Sequence, residues 1–476
     1  MWARIGGIMS GELWAKGALE LAADIKAKRT TSRAVVEAHL ARIDAVNPAV
    51  NAIVKVLADD ARRLADAADA AVSAGGSLGP LHGVPFTIKE NIDVAGQATT
   101  HGVPIFAEAV APSSSPAVER MLAAGAIPIG RTNLPDMGLR IHTDSSLHGR
   151  TKNPWRSERT AGGSSGGEGA ALATGMSPIG LGNDIGGSLR NPAHACGISS
   201  IKPSVGVIPD TQTYPSPDRS PAFAAMAVQG VMARRVADVR AGFDIVAGPD
   251  PRDPISVPAR LTDLAPGERL RVAILPAPPG GSTHPDIATA VRRAGDALAD
   301  AGHDVVEATP PDIELTYLVW AIMLFSELAD IREQLDMVMG EGGRTLIGRI
   351  LEFFPRVSNV EHYLAMSQRD GLARRWSMWF EDHQALVLPT WTQPPFVFDD
   401  DLAGADGATR TLELMRPVLP ANLLGLPSVV VPAGMADELP VGVQVMGARF
   451  TDRRCLSLAE QIEQRLPGAT PIDPRP

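Results

Sequence analysis

Residues 161–193 read AGGSSGGEGAALATGMSPIGLGNDIGGSLRNPA. Two Gly-Gly-Ser turns, at Ser164 and Ser188, frame a small apolar segment rich in alanine. Glycine lets successive backbone N–H groups turn toward one point and form a nest that holds an anion. Beside a serine hydroxyl, such a nest can serve as an oxyanion hole next to a nucleophile. On these residues alone a plainer reading stands equally well: two glycine-rich connections with capping serines. The second turn follows Asn183-Asp184-Ile185, and the first offers either Ser164 or Ser165.

Short patterns elsewhere narrow the chemistry. Gly162-Gly163-Ser164-Ser165-Gly166 matches the G-x-S-x-G elbow, which needs an apolar strand immediately before it. The preceding RSERTA is polar, so the elbow is rejected. Ser199-x-x-Lys202 matches S-x-x-K, but its companion K-T-G is absent. His39, His82, His101, His142, His148 and His194 could each supply a base, and none stands in a recognisable triad context. His142 and His148 lie six apart, a weak metal signal, and neither H-E-x-x-H nor a phosphate-binding P-loop occurs. Lysine is scarce, with seven in the chain. Lys89 directly follows the apolar GVPFTI. If that strand draws it inside, desolvation lowers its pKa and leaves a neutral base. A lysine at a strand end reaching solvent is the alternative, and Lys55 after NAIV shows the same context.

Composition sets the class. The chain has 476 residues, 45% of them hydrophobic, which is ample for a large core. A net charge of −10 and the lack of a dense basic block argue against nucleic-acid binding. Cys196 and Cys455 have neither disulfide-framework nor metal-ligand spacing, which suits a reducing interior. The N-terminal apolar run is broken within a few residues, and no window approaches ~18 uninterrupted apolar residues. A cytoplasmic protein with no membrane association is expected.

Helical and strand-like segments alternate, which predicts an α/β fold. Val36, Leu40 and Ile43 recur at helical spacing behind a Thr31-Ser32 cap, and a second helix is expected over 57–74. Strands are expected at 84–88, 126–129, 270–275, 385–389, 427–432 and 440–447, the last two as a pair. Helices are expected at 116–124, 287–301 and 456–465, with a strongly apolar one inside 312–352. The Pro-, Asp- and Ser-rich 205–265 reads as surface connections over the sheet.

Taken together, these residues resemble the amidase signature family of serine hydrolases. The carriers are GGSSGGEGAALATG, PIGLGNDIGGSLRNPA and CGISSIKPSVG, with PLHGVPFTIKENIDVAG and GAIPIGRTNLPDMG upstream. NLLGLPSVVVPAGMADELPVGVQVMGARF resembles the family's closing strands. The resemblance frames roughly 10–465 and is weak in 210–265 and 310–400. It implies one amidase signature domain over 1–476, a large mixed twisted sheet covered on both faces by helices. Within it, N-terminal helices would occupy 10–75 and the signature core 76–205. A variable pocket region would follow over 206–400, and closing strands and a helix over 401–476. It also implies a Ser–cisSer–Lys triad: Ser188 as nucleophile, Ser164 after a cis peptide bond as bridge, and Lys89 as base. The implied oxyanion hole is the N–H groups of Ile185, Gly186, Gly187 and Ser188, with Ser165, Asp184 and Arg190 in support. No metal or organic cofactor is implied. Two departures stand out: Asn183-Asp184-Ile185 replaces the commoner Thr-Asp-Thr, and Glu168 stands where Ser is common.

The substrate is the less specific part. Met137, Trp320, Met323, Leu324 and Trp391 are expected to line an apolar pocket, although 315–328 also reads as a plain buried helix. The expectation is a hydrolase of small hydrophobic or aryl amides, extending to carbamates (urethanes) and esters. The partner would be a small molecule, and the family allows a homodimer. The alternative within the fold is the glutamyl-tRNA(Gln) amidotransferase A-type subunit, which hydrolyses glutamine beside a tRNA-binding partner. A catalytically idle binding module would lack a triad residue, and all three are present.

Overall fold

The computed structural model describes residues 12–476, so the start of the 10–75 helical region and the N-terminal apolar run lie outside it. Its strands in chain order are β1 (Ile53–Val56), β2 (Pro85–Lys89), β3 (Ile127–Thr132), β4 (Asp144–Ser145), β5 (Gly149–Arg150), β6 (Ile179–Asp184), β7 (Ser199–Lys202), β8 (Val228–Ala233), β9 (Arg271–Ile274), β10 (Asp304–Glu307), β11 (Ala385–Pro389), β12 (Ser428–Ala436) and β13 (Leu439–Met446). β4 and β5 pair as a separate short hairpin. The other eleven form one mixed sheet in the order β1-β3-β2-β6-β8-β7-β12-β13-β11-β9-β10.

Helices cover both faces of this sheet, as the period-2 pattern demands. In β11, Ala385 and Val387 enter one apolar core while Leu386 and Leu388 enter the other. A sheet buried on both faces needs near-continuous apolar strands, and β11 and β13 are buried throughout. The expected pair of closing strands forms antiparallel, with Val431 opposite Val443.

Local signals place the helices well. The Thr31 side chain accepts from Ala34 N–H and starts the helix Ser32–Val50. The next helix, Ala58–Ser73, stops just before Gly75, whose φ of +70° suits glycine. The apolar 312–352 segment divides into helices Ile313–Asp330, Arg332–Val338 and Glu341–Phe353.

One expectation is corrected. Residues 205–265 are not only surface connections, because they carry β8, wholly buried between β6 and β7 and antiparallel to both. Its sequence, VQGVMA, is short and holds a glycine, and the Pro-, Asp- and Ser-rich flanks mask it. The glycine is required there: a Cβ on Gly230 would meet Ile201 O at 2.3 Å.

The sheet also positions the site. β2 and β6 are parallel neighbours, with Ile88 opposite Leu181. Their carboxyl ends therefore deliver Lys89 and the Asn183–Asp184 pair to the same edge, where open α/β sheets bind ligands.

Candidate active site

Lys89 ends β2 with no exposed surface. Its Nζ lies 2.7 Å from Ser164 Oγ and donates to Asn183 Oδ1 at 2.6 Å. Burial is the main influence on this amine and lowers its pKa to about 7, against the pull of the Asp184 and Glu168 carboxylates. A neutral amine has one lone pair. The Asn183 amide oxygen only accepts, so it engages an N–H and leaves the lone pair for the Ser164 hydroxyl. Asn183 is itself held, its Nδ2 donating to Asn91 Oδ1 at 2.9 Å.

Ser164 follows a cis peptide bond from Gly163. The helix after it, Gly166–Ala173, is built of small residues because it runs against backbone. A Cβ on Gly167 would meet Asn133 N at 2.4 Å. Ser165 N–H donates to Ser188 O at 3.3 Å and ties the two turns together. Among the described residues the Ser164 and Ser188 hydroxyls share no hydrogen bond, and the Ser164 hydroxyl is engaged by Lys89.

The turn 185–188 is held from beneath by Asp184. Its carboxylate accepts from Gly187 N–H at 2.7 Å, Leu189 N–H at 3.1 Å, Arg190 Nε at 3.0 Å and Asn422 Nδ2 at 2.8 Å. Burial opposes its charge, but Arg190, equally buried, overcomes that and draws the pKa down to about 2. Arg190 also donates to Val418 O and Gln444 Oε1, so two distant segments meet on it.

These bonds correct the expected oxyanion set. Gly187 N–H is committed to Asp184 and is not available to a ligand. The N–H groups of Ile185, Gly186 and Ser188 have no protein acceptor among the described residues. The reason is geometric: in a trans peptide the C=O and the next N–H point opposite ways. Asn191 Nδ2 takes the Gly186 carbonyl at 3.2 Å, which swings Gly187 N–H back toward Asp184.

An apolar cavity of about 70 Å³ opens beside Ser188 and Gly186. Trp320, Leu324 and Leu328 line it at i, i+4 and i+8 of one helix, joined by Ile347, Ile350 and Met415. Of the five pocket residues expected, Trp320 and Leu324 stand in this wall. Met137 packs against the same apolar cluster, beside the lining Gly138. Met323 and Trp391 are corrected to the core, at 1% and 0% exposure. Met323 is not among the residues that line the cavity. Trp391 donates its indole N–H to Asn191 Oδ1 at 2.8 Å and stacks on Phe396. Ile347, Ile350 and Met415 gave no sequence signal, since apolar residues on amphipathic helices are ordinarily core.

Glu168 is buried beneath the lysine. Thr87 Oγ1 and, at 2.8 Å, Thr132 Oγ1 donate to its two oxygens. Burial outweighs these bonds and raises its pKa to about 7. The histidines lie elsewhere: His142 bonds Thr160, and His148 bonds Glu90. His142, Asp144 and Asp399 bring ligand-type atoms within 4.8 Å of one another. Arg150 already bonds both carboxylates, and Arg140 bonds Asp399, so cationic groups occupy the place of a metal. In the S-x-x-K match, Lys202 Nζ donates to the carbonyls of Pro203 and Leu426 rather than to Ser199.

Residues 34–456 match the model of the Amidase family. The chain belongs to the amidase signature family. An indoleacetamide hydrolase of Bradyrhizobium diazoefficiens is 38% identical over 461 residues, 96% of this chain and 87% of that protein. A glutamyl-tRNA(Gln) amidotransferase A-type subunit of Symbiobacterium thermophilum is 34% identical, spanning 89% of this chain and 91% of its own length. A solved structure of 6-aminohexanoate cyclic dimer hydrolase with substrate superposes with a TM-score of 0.84 at 28% identity, covering 98% of this chain and 99% of that one. This amidase-signature chain is therefore a hydrolase of amide C–N bonds. Among its described residues no helix is long and apolar enough to cross a membrane.

Proposed function

We propose that this amidase hydrolyses small hydrophobic or aryl amides through an acyl-enzyme on Ser188. The observation that carries the reading is the buried Lys89 amine in contact with Ser164, beside a turn that leaves three N–H groups free around Ser188. Neutral Lys89 takes the Ser164 proton while Ser164 takes that of Ser188. The Ser188 oxygen then attacks the carbonyl carbon, and the Ile185, Gly186 and Ser188 N–H groups receive the developing oxyanion. Removing one such donor costs about 3 kcal/mol of transition-state stabilisation. The relay runs back to protonate the amide nitrogen, the C–N bond breaks and the amine leaves. Water, activated by the same relay, cleaves the ester and restores Ser188.

The pocket supports an apolar acyl group. Its one charged lining residue, Arg140, is already bidentate to Asp401 at 2.6 and 2.7 Å. The free amine and carboxylate of glutamine would find no partner there. A cavity of about 70 Å³ is far below the ~300 Å³ of a pocket for a drug-sized ligand. It suits one flat ring seated between rotatable Leu and Met side chains. The arylacetamide named for the Bradyrhizobium relative supports the same class. Aryl carbamates and esters present the same carbonyl to the same nucleophile and belong in the proposed range.

The test is amine or alcohol release from indole-3-acetamide, an anilide, an aryl carbamate, an aryl ester and glutamine. Release from the aryl set and its loss in Ser188→Ala are expected. Turnover of glutamine alone would overturn the substrate class in favour of the amidotransferase reading. Full activity in Ser188→Ala would overturn the mechanism.

A further inference from the structure

Trp320 belongs to two structures at once. Its indole edge forms the floor of the acyl cavity, and a Cβ on Gly186 would meet its ring at 2.7 Å. Its Nε1–H donates to Ile185 O at 2.9 Å. That carbonyl and the Gly186 N–H belong to one peptide plane, and in a trans peptide they point in opposite directions. Holding the carbonyl therefore aims the N–H. The Gly187–Ser188 peptide is pinned in the same manner, with Gly187 O accepting from Asn191 N–H at 2.6 Å and Ser188 N–H left free. The two differ in what pins them. Ser188 N–H is set from the first turn of the helix that follows it, Arg190–Cys196. Gly186 N–H is set through Ile185 O by a side chain 135 residues from Ile185 in the chain, on the helix that walls the acyl cavity.

We propose that Trp320 is a positioning residue that aims the Gly186 N–H at the oxyanion, so that one side chain couples the fit of the acyl group to transition-state stabilisation. The inference rests on the Ser188 acyl-enzyme reading and assigns Trp320 a part beyond that of a wall. The ring is anchored for this purpose: it packs edge-to-face on Phe325 at 5.5 Å and is 3% exposed. An acyl group that presses on the indole shifts the hydrogen bond that orients the donor. One that fits leaves the donor in place. Discrimination between acyl groups would then appear in kcat as well as in KM.

The test is Trp320→Phe, which keeps an aromatic wall and removes the N–H. Two probes separate the roles. A benzyl trifluoromethyl ketone adds the Ser188 oxygen to its carbonyl carbon, and its carbonyl oxygen becomes an oxyanion held by the free N–H groups. Phenylacetone fills the same cavity, but its unactivated carbonyl reads occupancy only. The expected result is a fall of about tenfold or more in kcat. The trifluoromethyl ketone should weaken in parallel, with phenylacetone binding and KM changed less than about threefold. Trp376→Phe is the matched control, because Trp376 is fully buried and its indole N–H bonds only Pro311 O, away from the turn. It should lose stability while keeping the trifluoromethyl ketone affinity. A Trp320→Phe enzyme that raises KM and weakens both ketones equally would overturn the proposal and leave Trp320 a wall. So would equal losses of trifluoromethyl ketone affinity in both tryptophan variants. Ser188→Ala is read separately: if it is dead while Trp320→Phe keeps full trifluoromethyl ketone affinity, only the Trp320 inference sinks.

Discussion

The two sides of the active site are built differently. The reacting side comes from two turns and a strand end within residues 89–190, and its contacts are hydrogen bonds, Lys89 with Ser164 and Asn183, and Asp184 with Gly187 and Arg190. The pocket side comes from helices Ile313–Asp330 and Glu341–Phe353 with Met415, and its contacts are apolar packing. Directional bonds tolerate little variation in geometry, whereas packing tolerates exchange of one apolar residue for another. The reacting side should therefore govern rate on every substrate, and the pocket side which substrates react.

The largest test of that division is Lys89→Met, which conserves volume and removes the base. Loss of kcat by about 10²–10⁴-fold on every substrate is expected. The rise of kcat/KM with pH through about 7, where the wild-type lysine loses its proton and becomes the base, should vanish. A loss confined to some substrates would break the comparison. Asp184→Asn comes next. It leaves Arg190 buried without its carboxylate, at a cost of about 3–5 kcal/mol, read as a lower midpoint of thermal denaturation. An unchanged midpoint would mean that Gln444 and Asn422 suffice for Arg190.

Leu324→Ala should act on the other side. A buried Leu→Ala change costs about 2–5 kcal/mol of stability. It should raise KM for an aryl amide about tenfold while sparing kcat on acetamide. A fall in kcat on acetamide would show that the wall reaches the reacting atoms beyond Trp320. The smallest effect is expected from Glu168→Gln. The Glu168 carboxylate helps to keep the Lys89 proton on, so its removal lowers the lysine pKa further. The acid limb of the kcat/KM profile should move to lower pH by about one unit or less, a difference worth ~1.4 kcal/mol per unit. A limb moving upward would mean that Glu168 does not act on Lys89 through its charge.

The same division explains how far the residues alone could be read. Strand ends and caps follow from local pattern, as Thr31 and Lys89 show. β8 escaped because its neighbours on both sides, β6 and β7, decide that VQGVMA is buried, and no local signal reports them. By sequence alone Trp391 suits a pocket and a core equally well, since it is an aromatic in a divergent segment. Its complete burial, with the Asn191 bond and the stack on Phe396, assigns it to the core. Glu168 was visible as an unusual residue, but its proximity to Lys89 required β2 and β3 to be set side by side, bringing Thr87 and Thr132 onto its two oxygens.

The sequence by itself determined the chemistry that lies within one stretch of chain: two Gly-Gly-Ser turns, a lysine after an apolar strand, and an α/β alternation. Those depend on backbone freedom and residue type, which are local properties. Only the tertiary structure decided which N–H groups stay free. That depends on the Gly186 carbonyl held by Asn191, in the helix that follows the turn, and above all on the Ile185 carbonyl held by Trp320, far away in the chain. A hydrogen bond binds atoms that are near in space, and it is the fold, not the spacing of residues, that brings Trp320 to Ile185.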